Sequence, residues 1–192
     1  MDQLSGTAAL ACSGFRVGQL VVPPFQVGRG EIVKIVCRSR DSNEMHIAAE
    51  RICNDGRASS VELPMPPSWL REVIHRQTAA EWHIAHCEMT RQDAADKLKR
   101  VQVNPDAPLC QLAGNPRWMI GFIAAMNSQP TALVFTTSGC DPLGVQAALT
   151  VAAEQLGETG GVYLTCFPDV GITEPAYSAV IEIPAGHAEK IA

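Results

Sequence analysis

The segment whose residue types come nearest to doing chemistry is Cys37-Arg38-Ser39-Arg40-Asp41-Ser42-Asn43-Glu44. It joins the run Gly30-Glu31-Ile32-Val33-Lys34-Ile35-Val36 to His46-Ile47-Ala48-Ala49-Glu50-Arg51-Ile52. The first run reads as a buried strand and the second as a helix. A loop between a strand and a helix N-terminus suits a phosphate, because unpaired backbone N–H groups and the helix dipole both point at it. Phosphate chemistry there needs glycines that let the amides wrap the anion. It also needs a Lys on the terminal phosphates and a Ser or Thr on magnesium. This loop has no glycine, with Asn43 at the lysine place and Glu44 at the hydroxyl place. Arg38 and Arg40 supply positive charge, and Asp41 and Glu44 oppose it. Cys37 precedes two arginines and a helix N-terminus, a setting that lowers a thiol pKa.

Other reactive side chains are less well arranged. His83-x-x-His86-Cys87, with Cys110, offers zinc ligands, but the paired-cysteine spacing of structural zinc sites is absent and no metal is expected. The seven cysteines form no C-x-x-C pair and read as reduced, mostly buried residues of a cytoplasmic protein. His46 and His75 have no nucleophile or carboxylate at a telling spacing. Ser138 lacks the Gly-x-Ser-x-Gly setting of a hydrolase nucleophile.

The elements that must position the loop follow from patterning. Phe15 to Val22 predicts an edge strand stopped by Pro23-Pro24, and Phe25 to Val27 a short strand. Ser59 to Leu63 predicts another strand, and Pro64-Met65-Pro66-Pro67 a joint. Trp69 to Arg100 predicts helix, with Thr90 as a cap. Asn115-Pro116 predicts a cap with proline at the first helical position, and Asp141-Pro142 repeats the device for a helix reaching Gly157. Trp118, Met119, Phe122, Ile123 and Met126 fall on one helical face. Ala132 to Phe135, Gly161 to Cys166 and Tyr177 to Ile183 predict further strands. Strands that are apolar throughout and alternate with helices imply a mostly parallel sheet covered on both faces.

A chain of 192 residues, 46% hydrophobic, fits one domain over 1–192 with a helical insert at about 65–111. A net charge of −5 argues against nucleic acid as a partner. No apolar run has the length of a membrane span.

With these elements placed, the chain resembles the nucleotide-binding domain of ATP-binding cassette (ABC) proteins, in the P-loop NTPase superfamily. Gly14 to Val33 resembles the strands and the Gly-Glu that lead into that family's phosphate loop. Asn54 to Leu63 resembles the short segment after its first helix. Leu112-Ala113-Gly114-Asn115-Pro116-Arg117 resembles the signature Leu-Ser-Gly-Gly-Gln/Glu-Arg. Ser138-Gly139-Cys140-Asp141-Pro142 resembles the Ser-Gly-Leu-Asp-Pro of the D-loop. The resemblance implies an α/β fold with a small antiparallel N-terminal portion and a reduced helical insert. It also implies that Phe15 stands where an aromatic stacks on adenine.

The departures fall on the residues that the family uses for catalysis. Val134 takes the place of the magnesium-binding Asp, Phe135 that of the water-orienting Glu, and Cys166 that of the switch histidine. Phosphoryl transfer rests on positioning and charge neutralisation by such groups. The resemblance therefore implies a pseudo-ATPase acting through protein contact rather than an enzyme. Its partner would be a second copy or another ABC-type domain, with any membrane subunit reached through that partner. Ala113, Gly114, Asn115, Ser138, Gly139 and Asp141 would form the contact surface. No cofactor is expected; the alternative is a transporter subunit that still takes ATP and Mg²⁺.

Overall fold

Residues 8–38, 42–56, 58–65, 76–157, 159–166 and 173–183 are described by the computed structural model of the chain. Four short strands come first: β1 (Leu10–Cys12), β2 (Phe15–Val17), β3 (Leu20–Val22) and β4 (Phe25–Val27). β1 pairs with β4 and β2 with β3, both antiparallel. The stretch from Phe15 to Val22 is thus a hairpin rather than one edge strand. Gly18 adopts φ 54 at the first place of its two-residue turn, where a side chain would be strained.

The main sheet holds β5 (Ile32–Cys37), β6 (Ser59–Ser60), β7 (Ala132–Thr136), β8 (Gly160–Thr165) and β9 (Ala179–Ile183). Its order is β6-β7-β8-β5-β9, and every pairing is parallel. β5 and β8 are buried throughout, as their largely apolar runs require of central parallel strands. β6 stops short of the predicted Leu63, although the Val61 amide still donates to the Val134 carbonyl. β9 begins two residues after Tyr177.

Alternation along the strands sends side chains to two separate cores. Ile32, Leu133, Phe135 and Tyr163 face one, and Val33, Ile35, Cys37, Val134, Val162 and Leu164 face the other. α1 (Ser42–Gly56) closes the second face with Met45, Ala48, Ala49 and Ile52, spaced as one helical stripe. The first face is closed by α4 (Gly114–Asn127) and α5 (Pro142–Gln155). Of the predicted apolar face of α4, Trp118, Met119, Phe122 and Ile123 are buried and Met126 is half-buried against the same core. α5 ends two residues before Gly157, which takes φ 46.

Between β6 and β7 the chain also forms α2 (Ala79–Cys87), α3 (Arg91–Arg100) and a 3-10 turn at Leu109–Gln111. The single helix predicted from Trp69 to Arg100 is interrupted. α2 is opened by a Thr78/Glu81 capping box and ended by Glu88 at φ 49, and Thr90 then caps α3 as expected. Residues 66–75, with His75, lie outside the described part. His83 is fully buried on α2, its Nδ1 3.5 Å from Cys87 Sγ. Burial, followed by Lys97 and His86 nearby, pushes its pKa down to about 4. His83 is therefore a neutral core histidine at ordinary pH. His86 stacks on Trp82, with its Nδ1 2.7 Å from the Trp82 carbonyl. Among the described residues no three His, Cys, Asp or Glu side chains gather to hold a metal ion.

Candidate functional site

The end of β5 and the start of α1 set the phosphate-loop position. Ser39, Arg40, Asp41 and the Ser42 side chain lie outside the described residues. The flanking side chains have internal partners. Arg38 Nη2 donates to Glu182 Oε2 at 2.7 Å, and its backbone amide donates to the Ile183 carbonyl, which ties it to β9. Glu44, at the magnesium-ligand place, turns to the β2–β3 hairpin and accepts the Gln19 amide at 3.2 Å. Gly18 makes that approach possible, since a Cβ there would collide with the Glu44 carboxylate. Asn43 is exposed in the first turn of α1. Phe15 packs on the second core, and the Arg51 guanidinium sits 5.9 Å from its ring centroid. That guanidinium comes from α1, so a face of Phe15 already has a partner.

Cys37 corrects the sequence reading. It is fully buried as the last residue of β5, and burial pushes its thiol up to about 12. Cys166 and Glu44 add to the rise. The arginine and the helix N-terminus that would stabilise a thiolate are outweighed by the loss of solvent.

The two carboxylate positions are sealed. Val134 is 1% exposed and Phe135 2%. Phe135 stacks on Tyr163 with centroids 5.5 Å apart and meets Trp118 and Phe122 edge-on. Trp118 also donates from Nε1 to the Thr136 carbonyl at 2.5 Å, fixing the end of β7. Beyond that end lies a pocket of about 380 Å³, lined by Met45, Thr137, Cys140, Val145, Leu164 and Cys166 among others. None of its described lining residues is charged. Cys166, at the switch position, places Sγ 3.6 Å from Met45 Sδ.

The two segments assigned to partner contact meet each other. Gly114 packs so closely on the Gly139 carbonyl that no Cβ could be accommodated. Gly139 itself adopts φ 85 and leaves open space where a side chain would be. Asn115 is not the cap of α4. That place falls to Ala113, which makes no side-chain capping bond. The Asn115 carboxamide instead lies against Gly144, and its Oδ1 accepts the Asp141 amide at 3.2 Å. Asp141 caps α5 as expected, accepting the Gly144 amide at 2.7 Å. That amide, followed by the Asn115 side chain, holds the Asp141 carboxyl below its ordinary range. Ser138 is exposed, and its neighbour Thr137 lies 3.0 Å from the Tyr163 hydroxyl. Ala113–Asn115 and Ser138–Asp141 thus form one continuous surface. Gly114→Ala is expected to push them apart and cost about 1–3 kcal/mol, the range for forced overpacking. Urea unfolding of the variant checks this, and an unchanged midpoint would refute the contact.

No family model matches the sequence, and no curated protein is similar to it. Solved structures do match its backbone. One is a metal-chelate type ABC transporter in an inward-facing conformation, with TM-score 0.61 and 14% identity over 85% of this chain and 73% of that one. Another is a dimeric bacterial ABC transporter cassette, with TM-score 0.57 and 16% identity over 85% and 88%. A third is cbiO1 from Clostridium perfringens, part of the cbiONQ transporter complex, with TM-score 0.51 and 13% identity over 85% and 80%. The fold is that of an ABC cassette. At such identities the likeness is one of fold, and the chemistry must be read from this chain's own residues.

On the ABC cassette fold, three features escaped the sequence reading. Lys34 is 2% exposed and bonds both oxygens of Glu174 at 2.7 and 2.6 Å. Met45 reaches from α1 to the switch position, and Glu44 engages the hairpin. Only the first left a trace, a lone charge inside an apolar strand.

Proposed function

We propose that this chain is an ABC-type cassette that has lost nucleotide turnover and works by protein contact. It acts as one domain over 1–192 with a reduced helical insert at about 65–111. Its partner is a second copy or an intact ABC cassette, and any membrane subunit is reached through that partner. One observation carries the reading: the would-be contact segments pack into one surface, while Arg38 and Glu44 at the phosphate position are tied to neighbours inside the fold. Arg38 is tied to Glu182 and Glu44 to Gln19. The apolar Val134 and Phe135 support the same reading, since a buried carboxylate at either place would be very costly. No described helix is long and apolar enough to cross a membrane.

Calorimetric titration of the purified chain with ATP and with ADP, with and without Mg²⁺, tests this. The expected result is no saturable binding tighter than about 1 mM. Magnesium-dependent ATP binding tighter than about 10 μM would overturn it and return the chain to the ATP-binding class. Sedimentation velocity without nucleotide then reads self-association, which Gly114→Ala should weaken.

A further inference from the structure

Three sulfur atoms gather where β5, β8 and α1 meet. Cys37 closes β5, and Cys166 follows β8 directly. Val36 and Thr165 are register partners on these two parallel strands, so Cys37 and Cys166 stand one step beyond that pair. Neighbouring strands lie about 4.8 Å apart, and equivalent residues on them point to the same face. That face is the one α1 covers. Met45 lies over it, with Sδ 3.6 Å from Cys166 Sγ. Cys37 is fully buried and Met45 7% exposed. Met45 and Cys166 both line the 380 Å³ pocket, so these two sulfurs can be reached from it, with Cys37 buried behind them.

The lining decides what such a group could hold. Calcium and magnesium need several oxygen ligands, mostly carboxylates, and no carboxylate is among the described residues that line the pocket. Structural zinc calls for four nitrogen or sulfur ligands. Two thiols and a thioether in an apolar wall suit a soft monovalent cation. Metal–sulfur bonds of about 2.3 Å place sulfurs that share one metal about 3.7–4.0 Å apart. The Cys166–Met45 separation is already close to that.

We propose that Cys37, Cys166 and Met45 form a binding site for Cu(I). The metal enters as Cu(I), so no electron is transferred. Each thiol that ligates forms a Cu–S bond and releases its proton to solvent, and Met45 donates a lone pair from Sδ. The site rests on these three side chains and is independent of whether the chain contacts a second cassette.

The test is an anaerobic titration of the reduced full-length chain with Cu(I) held by bicinchoninate. Loss of chelate colour reads the transfer of copper to protein. One equivalent should move to the wild-type chain. Met45→Leu should weaken uptake by about tenfold or more, the least that loss of a ligand should cost. Cys166→Ser should weaken it further, and Cys110→Ser, which removes an exposed thiol elsewhere, should leave the curve unchanged. Circular dichroism establishes that the variants are folded. Met45→Leu nearly conserves volume, so it decides the matter even if Cys166→Ser fails to fold. Failure of the wild-type chain to take copper from the chelator, or an unchanged curve for Met45→Leu, would overturn the site.

Discussion

Phe135→Glu is expected to destroy the folded state rather than to gain ATP hydrolysis. On the resemblance read from the sequence, Phe135 stands where ABC cassettes would carry a water-orienting carboxylate. Here the position is 2% exposed and stacked on Tyr163, with Trp118 and Phe122 edge-on. Loss of a buried aromatic costs about 3–5 kcal/mol. An ionised carboxylate left among aromatic rings adds several more, unless it takes up a proton and so loses its use as a base. Whole domains are stable by only about 5–15 kcal/mol. Urea unfolding followed by circular dichroism should show no cooperative transition, or one shifted far toward zero denaturant. Phe135→Leu, which keeps the site apolar, should retain a transition. A Phe135→Glu chain as stable as wild type would mean that the end of β7 can open to water. Phe135 would then not be sealed inside the fold.

The parts of this fold legible in the sequence are those governed by local rules. The largely apolar runs of β5, β7 and β8 required a parallel sheet covered on both faces, and it is present. Thr90 and Asp141 announced their helices because a cap acts within three residues of itself. Where neighbours distant in sequence decide, the reading failed. Asn115 has the right chemistry for a cap, but the Asp141 amide, 26 residues away, claims its side chain. Phe15 to Val22 looked like one strand because Gly18 is a weak turn signal without a second glycine or asparagine beside it. Cys37 looked activated because sequence shows the neighbouring arginines and not the burial that outweighs them. Glu44 was legible as a wrong residue for magnesium, but its bond to Gln19 needed the hairpin to be folded back over α1.

Glu174→Leu is expected to be among the most destabilising changes outside the aromatic core, at about 3–5 kcal/mol. Lys34→Met should cost distinctly less. The pair is asymmetric: the Lys34 side chain is 3% exposed and that of Glu174 21%. Removing Glu174 takes from an interior ammonium the carboxylate that bonds it through both oxygens. The Tyr177 ring, 5.3 Å from Nζ, offers about 2 kcal/mol at most in return. Removing Lys34 instead leaves a carboxylate that water can still reach, and methionine replaces most of the aliphatic stem. Lys34→Met combined with Glu174→Leu should recover much of the loss, because a buried ion pair is often no better than apolar groups of the same volume. Equilibrium urea unfolding of the three variants ranks them, and a Lys34→Met chain weaker than Glu174→Leu would reverse the assignment of the buried charge. The ranking also bears on function. Lys34 is the only cation on the strand that leads into the phosphate position. It shares its register with Tyr163 and so faces the core opposite α1. Its charge is committed to holding Glu174, ahead of β9, against β5, and it points away from the helix N-terminus where a phosphate would have to bind.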